Sequence, residues 1–226
     1  MVYKPTKDRT VEEVKRVLRP ADVADQAKKI RHYVGNPIDF IIQECRTLSL
    51  GPPPTYLALP NKPHIRDLIR IFTFPWKPGQ VVIIGKSRQM QATWIACCYV
   101  VYCLLFKRNY NIVWSSLKEE HAQAVLDRIL KILKHLSIIT PHYERKGNYI
   151  IVPSLDNSVR GVPRGDTQIT SFAYSLWIAD EFAKIQPARL QDKIFREALP
   201  ALALGQIFFI SSAYPDTLYE VMYTEP

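Results

Sequence analysis

The segment VVIIGKSRQMQATWIACCYVVYCLLF, residues 81 to 106, sets the tightest limit on what this chain can fold into. An unbroken β-branched run, Val81-Val82-Ile83-Ile84, leads through a short polar loop into 13 consecutive apolar residues, Trp94 to Phe106. A β-branched run with no polar alternation fits a strand covered on both faces. Thirteen apolar residues fall short of the ~20 that span a bilayer, so they read as a buried helix. A buried strand feeding a buried helix calls for a mainly parallel sheet with helices on both sides.

The flanking sequence agrees. Helical spacing covers His64 to Phe72, Ala92 to Phe106, Glu119 to Leu136 and Ala188 to Leu199. Strand patterns cover Asn111 to Ser115, Leu176 to Ala179 and Gln206 to Ser211, with a hairpin expected from Tyr149 to Val152 and near Val159. Alternation of strand and helix gives the α/β class. The first 55 residues differ: they read as helical and mostly polar. Thr10 to Glu13 fits a capping box, a helix is expected from Ala21 to Tyr33, and Gly35-Asn36-Pro37 reads as stop, N-cap and first helical residue. A short helix follows with Ile38, Ile41, Ile42 and Cys45 on one side. Gly51-Pro52-Pro53-Pro54 is neither helix nor central strand and serves as a linker. The expected organisation is a helical N-terminal appendage, 1–55, and an α/β core, 56–226.

Composition narrows the function. The net charge of +9 is regional: 13 basic against 8 acidic residues in 1–75, 11 against 4 in 76–150, and 6 against 9 in 151–226. A basic face toward a polyanion is expected, with Lys107, Arg108, Lys131, Lys134, Arg145 and Lys146 as contacts or as a merely solvated surface. Cys45, Cys97, Cys98 and Cys103 include no CxxC pair, which argues for reduced core thiols rather than a zinc site. The N-terminus carries no apolar signal segment, and no membrane span is expected.

Three motifs carry chemistry. The loop after Val81–Ile84 opens a helix, whose N-terminal amides and dipole suit phosphate. Against the pattern GxxxxGK[ST], Thr93 stands at the Mg²⁺-linked hydroxyl, but Ala92 replaces the usual lysine, Gln91 the second glycine and Lys86 the first. The lysine sits instead at the loop's start, which is tolerable because a lysine acts on phosphate as a point charge on a flexible stem. Arg88 adds a second cation; surface Lys and Arg in a polar turn would read the same way. The second motif is LWIADEF (Leu176 to Phe182), where a strand ends in Asp180 and Glu181. Phosphoryl transfer uses one acidic group near Mg²⁺ and another to orient water, although a solvated strand end looks alike. The third is QIFFISSAYP (Gln206 to Pro215), a strand ending in small hydroxyls. All three fall at carboxyl ends of strands, where ligands sit in open α/β sheets, and in the order expected of a P-loop ATPase.

Together KSRQMQAT (Lys86 to Thr93), IADEFA (Ile178 to Ala183) and ISSAYP (Ile210 to Pro215) resemble the ATPase domain of phage terminase large subunits, the DNA-packaging motors. IVWSSLKEEHA (Ile112 to Ala122) and NPIDFI (Asn36 to Ile41) add weaker support, and the resemblance covers about residues 36 to 220. It implies a P-loop NTPase fold of the RecA type and Mg²⁺-dependent ATP hydrolysis. Gly85, Lys86, Ser87, Arg88, Gln89, Met90, Gln91, Ala92 and Thr93 would bind phosphate, and Thr93 and Asp180 would hold Mg²⁺. Glu181 would position water with Arg88 assisting, and Ser211, Ser212 and Ala213 would couple hydrolysis to movement of the N-terminal appendage. It further implies double-stranded DNA, a portal protein and a small terminase subunit as partners, a ring of subunits during packaging, and the host cytoplasm as location.

Several positions depart from the family pattern. No glutamine occurs near His64 to contact adenine, leaving Tyr56, Lys62 or His64. Thr170 replaces an arginine before the acidic strand, leaving Arg160 or Arg164 as a finger acting in trans. The chain stops about ten residues past the coupling motif, with no later Asp cluster, so no nuclease domain is expected. A helicase-like translocase and a DNA-binding scaffold with a degenerate nucleotide site are the rival readings.

Overall fold

The computed structural model describes residues 20–48, 55–87, 90–163, 169, 173–202, 205–212 and 217–224. The capping box at Thr10, the linker at Gly51–Pro54, and Arg88, Gln89, Ala213, Arg164 and Thr170 lie outside them.

The N-terminal part forms α1 (Pro20–Tyr33) and α2 (Pro37–Glu44), then β1 (Arg46–Leu48) paired antiparallel with β2 (Tyr56–Ala58). Gly35 takes the left-handed conformation that ends α1, and Pro37 begins α2 as the sequence suggests. Asn36 makes no side-chain cap; its Nδ2 donates back to the His32 carbonyl at 2.6 Å. The apolar face of α2 is also rotated from expectation. Phe40, Ile41 and Glu44 are buried, while Ile38 and Ile42 face solvent.

The core continues through α3 (Pro63–Thr73), β3 (Val81–Gly85), α4 (Ala92–Phe106), β4 (Asn111–Ser116) and α5 (Glu119–Lys134). A hairpin of β5 (Glu144–Lys146) and β6 (Tyr149–Val152) leads to β7 (Asn157–Pro163). Then come β8 (Leu176–Asp180), α6 (Ala188–Ala198), β9 (Gln206–Ser211) and α7 (Leu218–Thr224). Seven strands form one sheet in the order β3-β9-β8-β4-β7-β6-β5. The first five are mutually parallel, β6 runs antiparallel to β7, and β5 runs antiparallel to β6. Alternate residues face opposite layers, so the apolar run of β9 divides by a period of two. Phe208 and Ile210 join Ile84, Ile112, Trp114 and Ile178 beneath α3, α4 and α5. Ile207 and Phe209 join Val113, Trp177 and Ala179 beneath Ile194 and Ala198 of α6. Two covered faces confirm the expected class.

One expectation about β3 changes. It is a terminal strand of the sheet, with β9 on one side only, so Val81, Val82 and Ile83 are half-buried and only Ile84 is buried. The helix α4 is apolar all round because it is enclosed by α2, α3, α5 and the sheet, not by lipid. Gly161 lets α5 settle on β7: a Cβ there would lie 3.1 Å from Leu126 and 3.2 Å from the Ala122 carbonyl. Both α1 and α2 reach the same core. Tyr33 and Phe40 pack edge-on against Phe106, with centroids 6.5 and 5.2 Å apart. Among the described residues no helix is long and apolar enough to cross a membrane.

Candidate functional site

Parallel pairing aligns the carboxyl ends of β3, β9 and β8, with Gly85 opposite Ser211 and Asp180 opposite Ile210. The ladder continues one residue further on each side. Lys86 N–H donates to the Ser211 carbonyl at 2.8 Å, and Glu181 N–H to the Ile210 carbonyl at 2.6 Å. Lys86 and the Asp180–Glu181 pair are therefore separated by a single strand, roughly 10 Å between backbones. A lysine side chain bridges that gap.

Two non-glycine residues with left-handed backbone flank the site. Gln91 (φ 58°, ψ 15°) turns the loop into α4, and Glu181 (φ 60°, ψ 36°) turns β8 into a 3₁₀ turn over Phe182–Lys184. Each such turn costs on the order of 1 kcal/mol and persists only where the surroundings impose it.

The side chains converge. Lys86 Nζ lies 2.8 Å from Asp180 Oδ1, 3.3 Å from Glu181 Oε1 and 3.2 Å from Thr93 Oγ1. Thr93 Oγ1 lies 3.3 Å from Asp180 Oδ2. Lys184 Nζ is 2.9 Å from Glu181 Oε2, and Ser212 Oγ donates to the same oxygen at 3.4 Å. Lys86 and Asp180 are only 13% and 14% exposed, Glu181 26%. Burial pushes the Glu181 carboxyl upward, but the hydrogen bond from Lys184 and the nearby Lys86 ammonium outweigh it and hold the group below its usual range.

The donor set of Thr93 and Asp180 is all oxygen, as a hard cation requires. Lys86 already demonstrates that these oxygens accept a positive charge at contact distance. No cluster of three or more His, Cys, Asp or Glu able to hold a metal occurs among the described residues. One carboxylate and one hydroxyl fit an ion such as Mg²⁺, which usually keeps waters and takes further oxygens from phosphate.

The remaining predicted positions are distributed as follows. Gly85 is the exposed strand tip, Ser87 N–H meets Met90 Sδ at 3.2 Å within the loop, and Ala92 is buried at the start of α4. Ser211 is buried at the end of β9. Tyr56 is not brought to the site. It stacks on His135 with centroids 3.8 Å apart, just past the C-terminal end of α5. Because α5 starts at the carboxyl end of β4 and runs back along the sheet, that stack lies at the opposite end from Gly85 and Asp180. Lys62 and His64 stand at the head of α3, beside an open groove of about 320 Å³ lined by Asn61, Pro63, Arg66, Asp67 and Arg70. Arg160 lies mid-strand in β7, with its guanidinium 5.2 Å from the Tyr149 ring. Of the basic candidates, Arg145 is tied to Asp127 and Lys146 to Glu144 at 2.6 Å. The residue that sequence reasoning missed is Lys184, whose only signal was its place three residues after Glu181.

No protein-family model and no curated protein sequence matches this chain. Solved structures do match its fold. The large terminase of bacteriophage HK97 superposes with a TM-score of 0.66 at 18% identity, over 84% of this chain and 40% of that one. The large terminase of a thermophilic bacteriophage superposes with a TM-score of 0.56 at 14% identity, over 74% of this chain and 43% of that one. The chain thus spans less than half the length of either protein. At these identities the likeness speaks for the fold, and the fold of this chain is that of phage large terminases.

Proposed function

We propose that this chain is the ATPase part of a phage large terminase, hydrolysing ATP to drive double-stranded DNA into a procapsid. The observation that carries the reading is the convergence of Lys86, Thr93, Asp180 and Glu181 at neighbouring strand tips of a large-terminase fold. In this reading Lys86 turns from the carboxylates to the β,γ-phosphates, with Gly85 to Thr93 wrapping them and Arg88 as a second cation. Thr93 and Asp180 would hold Mg²⁺, which when bound offsets the charge of the phosphates. Glu181, held ionised beside two lysines, orients the attacking water and accepts its hydrogen bond. Ser211, Ser212 and Ala213 report the change at the phosphate to the rest of the chain, since Ser212 already touches Glu181. The Lys62–His64 end of α3 is assigned to adenine and Arg160 or Arg164 to the finger acting in trans.

On the same reading, residues 1–55 are an appendage to an ATPase core at 56–226, acting in a ring with portal and small-subunit partners in the host cytoplasm. Steady-state ATP hydrolysis with and without double-stranded DNA is the test. DNA should stimulate turnover. Glu181→Gln should bind ATP and hydrolyse it poorly, and Lys86→Ala should lose tight nucleotide binding. No turnover of the wild-type chain under any condition would favour a DNA-binding scaffold instead.

A further inference from the structure

Glu181 has two carboxylate oxygens with different partners. Oε1 faces Lys86 at 3.3 Å, and Oε2 is held by Lys184 at 2.9 Å and by Ser212 at 3.4 Å. An exposed ion pair three residues apart is ordinarily worth little. This one differs because its lysine rises from a rigid platform. Phe182 stacks on Phe209 with centroids 4.0 Å apart and planes 12° apart. Gln191 of α6, fully buried, donates from Nε2 to the carbonyls of Ala183 at 3.1 Å and Ile185 at 2.9 Å, one on each side of Lys184. The Lys184 N–H closes the turn on the Glu181 carbonyl at 3.0 Å. Backbone and side chain of residue 184 therefore both fasten residue 181.

We infer that Lys184 is a positioning residue: it anchors one carboxylate oxygen of Glu181 and thereby fixes the plane of the carboxylate, with the other oxygen toward the attacking water. The inference rests on the proposed ATPase reading. There, Lys86 is drawn to phosphate and releases Oε1. Without a second anchor the carboxylate would then swing over the broad range of its last torsion and turn its free oxygen away from the water. Lys184 and Ser212 keep Oε2 in place while Oε1 opens. Lys184 itself is 38% exposed, and its ion pair is with Glu181, not with the residues proposed to hold phosphate and Mg²⁺.

The test is ATP turnover and fluorescent-ATP affinity in Lys184→Met, Lys184→Arg, Glu181→Gln and the double variant Glu181→Gln/Lys184→Met, with single-turnover rates for the slow ones. Lys184→Met should lose about tenfold in kcat with KM and nucleotide affinity within about twofold, since misplacing a catalytic group lowers the rate without loosening binding. Lys184→Arg should recover most of the loss. In the Glu181→Gln background, Lys184→Met should cost nothing further. Wild-type kcat in Lys184→Met, no rescue by arginine, or a further loss in the double variant would overturn the inference. Wild-type turnover in Glu181→Gln would instead overturn the role of Glu181 itself.

Discussion

Replacing Glu44 by glutamine should cost the folded chain about 2 kcal/mol at neutral pH and much less in acid. Glu44 ends α2 at 2% exposure. Its Oε1 accepts from Lys29 Nζ and Tyr33 Oη, both at 2.9 Å, and its Oε2 from Ser137 N at 3.0 Å and Ser137 Oγ at 2.7 Å. Four donors from α1 and from the loop after α5 thus meet on one carboxylate. A glutamine keeps one acceptor oxygen, which must face Ser137 N–H, because that group cannot accept. Its amide then faces Tyr33, whose hydroxyl can turn and also has Gln43 at 3.1 Å, and Lys29, which withdraws to water. What is lost is one ion pair and the charge assistance of the remaining bonds, about 2 kcal/mol. With a urea m-value of about 2.5 kcal/mol/M, the midpoint should fall by roughly 0.8 M. Burial raises the Glu44 carboxyl, but hydrogen bonds from Ser137, Lys29 and Tyr33 bring it below its usual range. A lowered folded-state value gives stability that is present above the ordinary carboxylate pKa near 4 and lost as pH falls through the folded value. The gap between wild type and variant, measured by urea titration stepwise from pH 7 downward, should therefore hold to about pH 5 and then close. Equal midpoints at pH 7, or a gap that does not narrow in acid, would refute the idea that this carboxylate clamps α1 and α2 to the core.

Asn157→Leu should lower the thermal midpoint by about 8 °C, a cost of roughly 3 kcal/mol. Buried Asn157 donates to the Leu104 and Lys107 carbonyls at 3.0 and 2.8 Å and accepts from Tyr110 N–H at 2.8 Å, so it closes the end of α4. Gln91→Gly should raise the midpoint by a few degrees, because glycine takes φ 58° without strain and removes a buried Oε1 that accepts no hydrogen bond among the described residues; a lower midpoint would contradict that backbone assignment. All four cysteines should resist a thiol reagent in the native chain and react once it is unfolded. Burial pushes Cys103 up to about 12 and Cys97 higher still, and rapid native labelling would contradict their placement.

The sheet and its helices were legible because the strands and α4 are unbroken apolar runs while α3, α5 and α6 keep a 3.6-residue period. Val81–Gly85, Ala92–Phe106 and Gln206–Ser211 appear almost where their composition puts them. What the pattern could not supply was adjacency. Nothing in VVII distinguishes a strand in the middle of a sheet from the terminal one that β3 is, since both of its faces are covered either way. Short polar strands such as β5, Glu144-Arg145-Lys146, carry no periodic signal and exist because β6 pairs with them. Tyr56 illustrates the limit for sites. An aromatic near the expected adenine position looks suitable in sequence, but the pairing of β2 with β1 and the ring of His135 fix it elsewhere. Lys86, Thr93, Asp180 and Glu181 were legible because strand ends announce themselves where an apolar run meets charge.

The displaced lysine is the point at which pattern and physics part, and the loop's closure reconciles them. Lys86 and Thr93 are seven residues apart, yet Nζ and Oγ1 are 3.2 Å apart. Lys86 and Thr93 thus meet each other and Asp180 at the end of β8. Ala92, the first residue of α4, is buried in the core, where a lysine would have to bury its stem and lift its charge out. At the near end, Lys86 continues the β3 ladder onto the Ser211 carbonyl and points across β9 to Asp180. The cost of this exchange falls on the hinge rather than on the lysine. Gln91, not glycine, makes the left-handed turn, just as Glu181 does on the other side. Two non-glycine residues in left-handed turns beside one cluster of opposite charges are what an arrangement selected for its side chains, rather than for backbone ease, should contain.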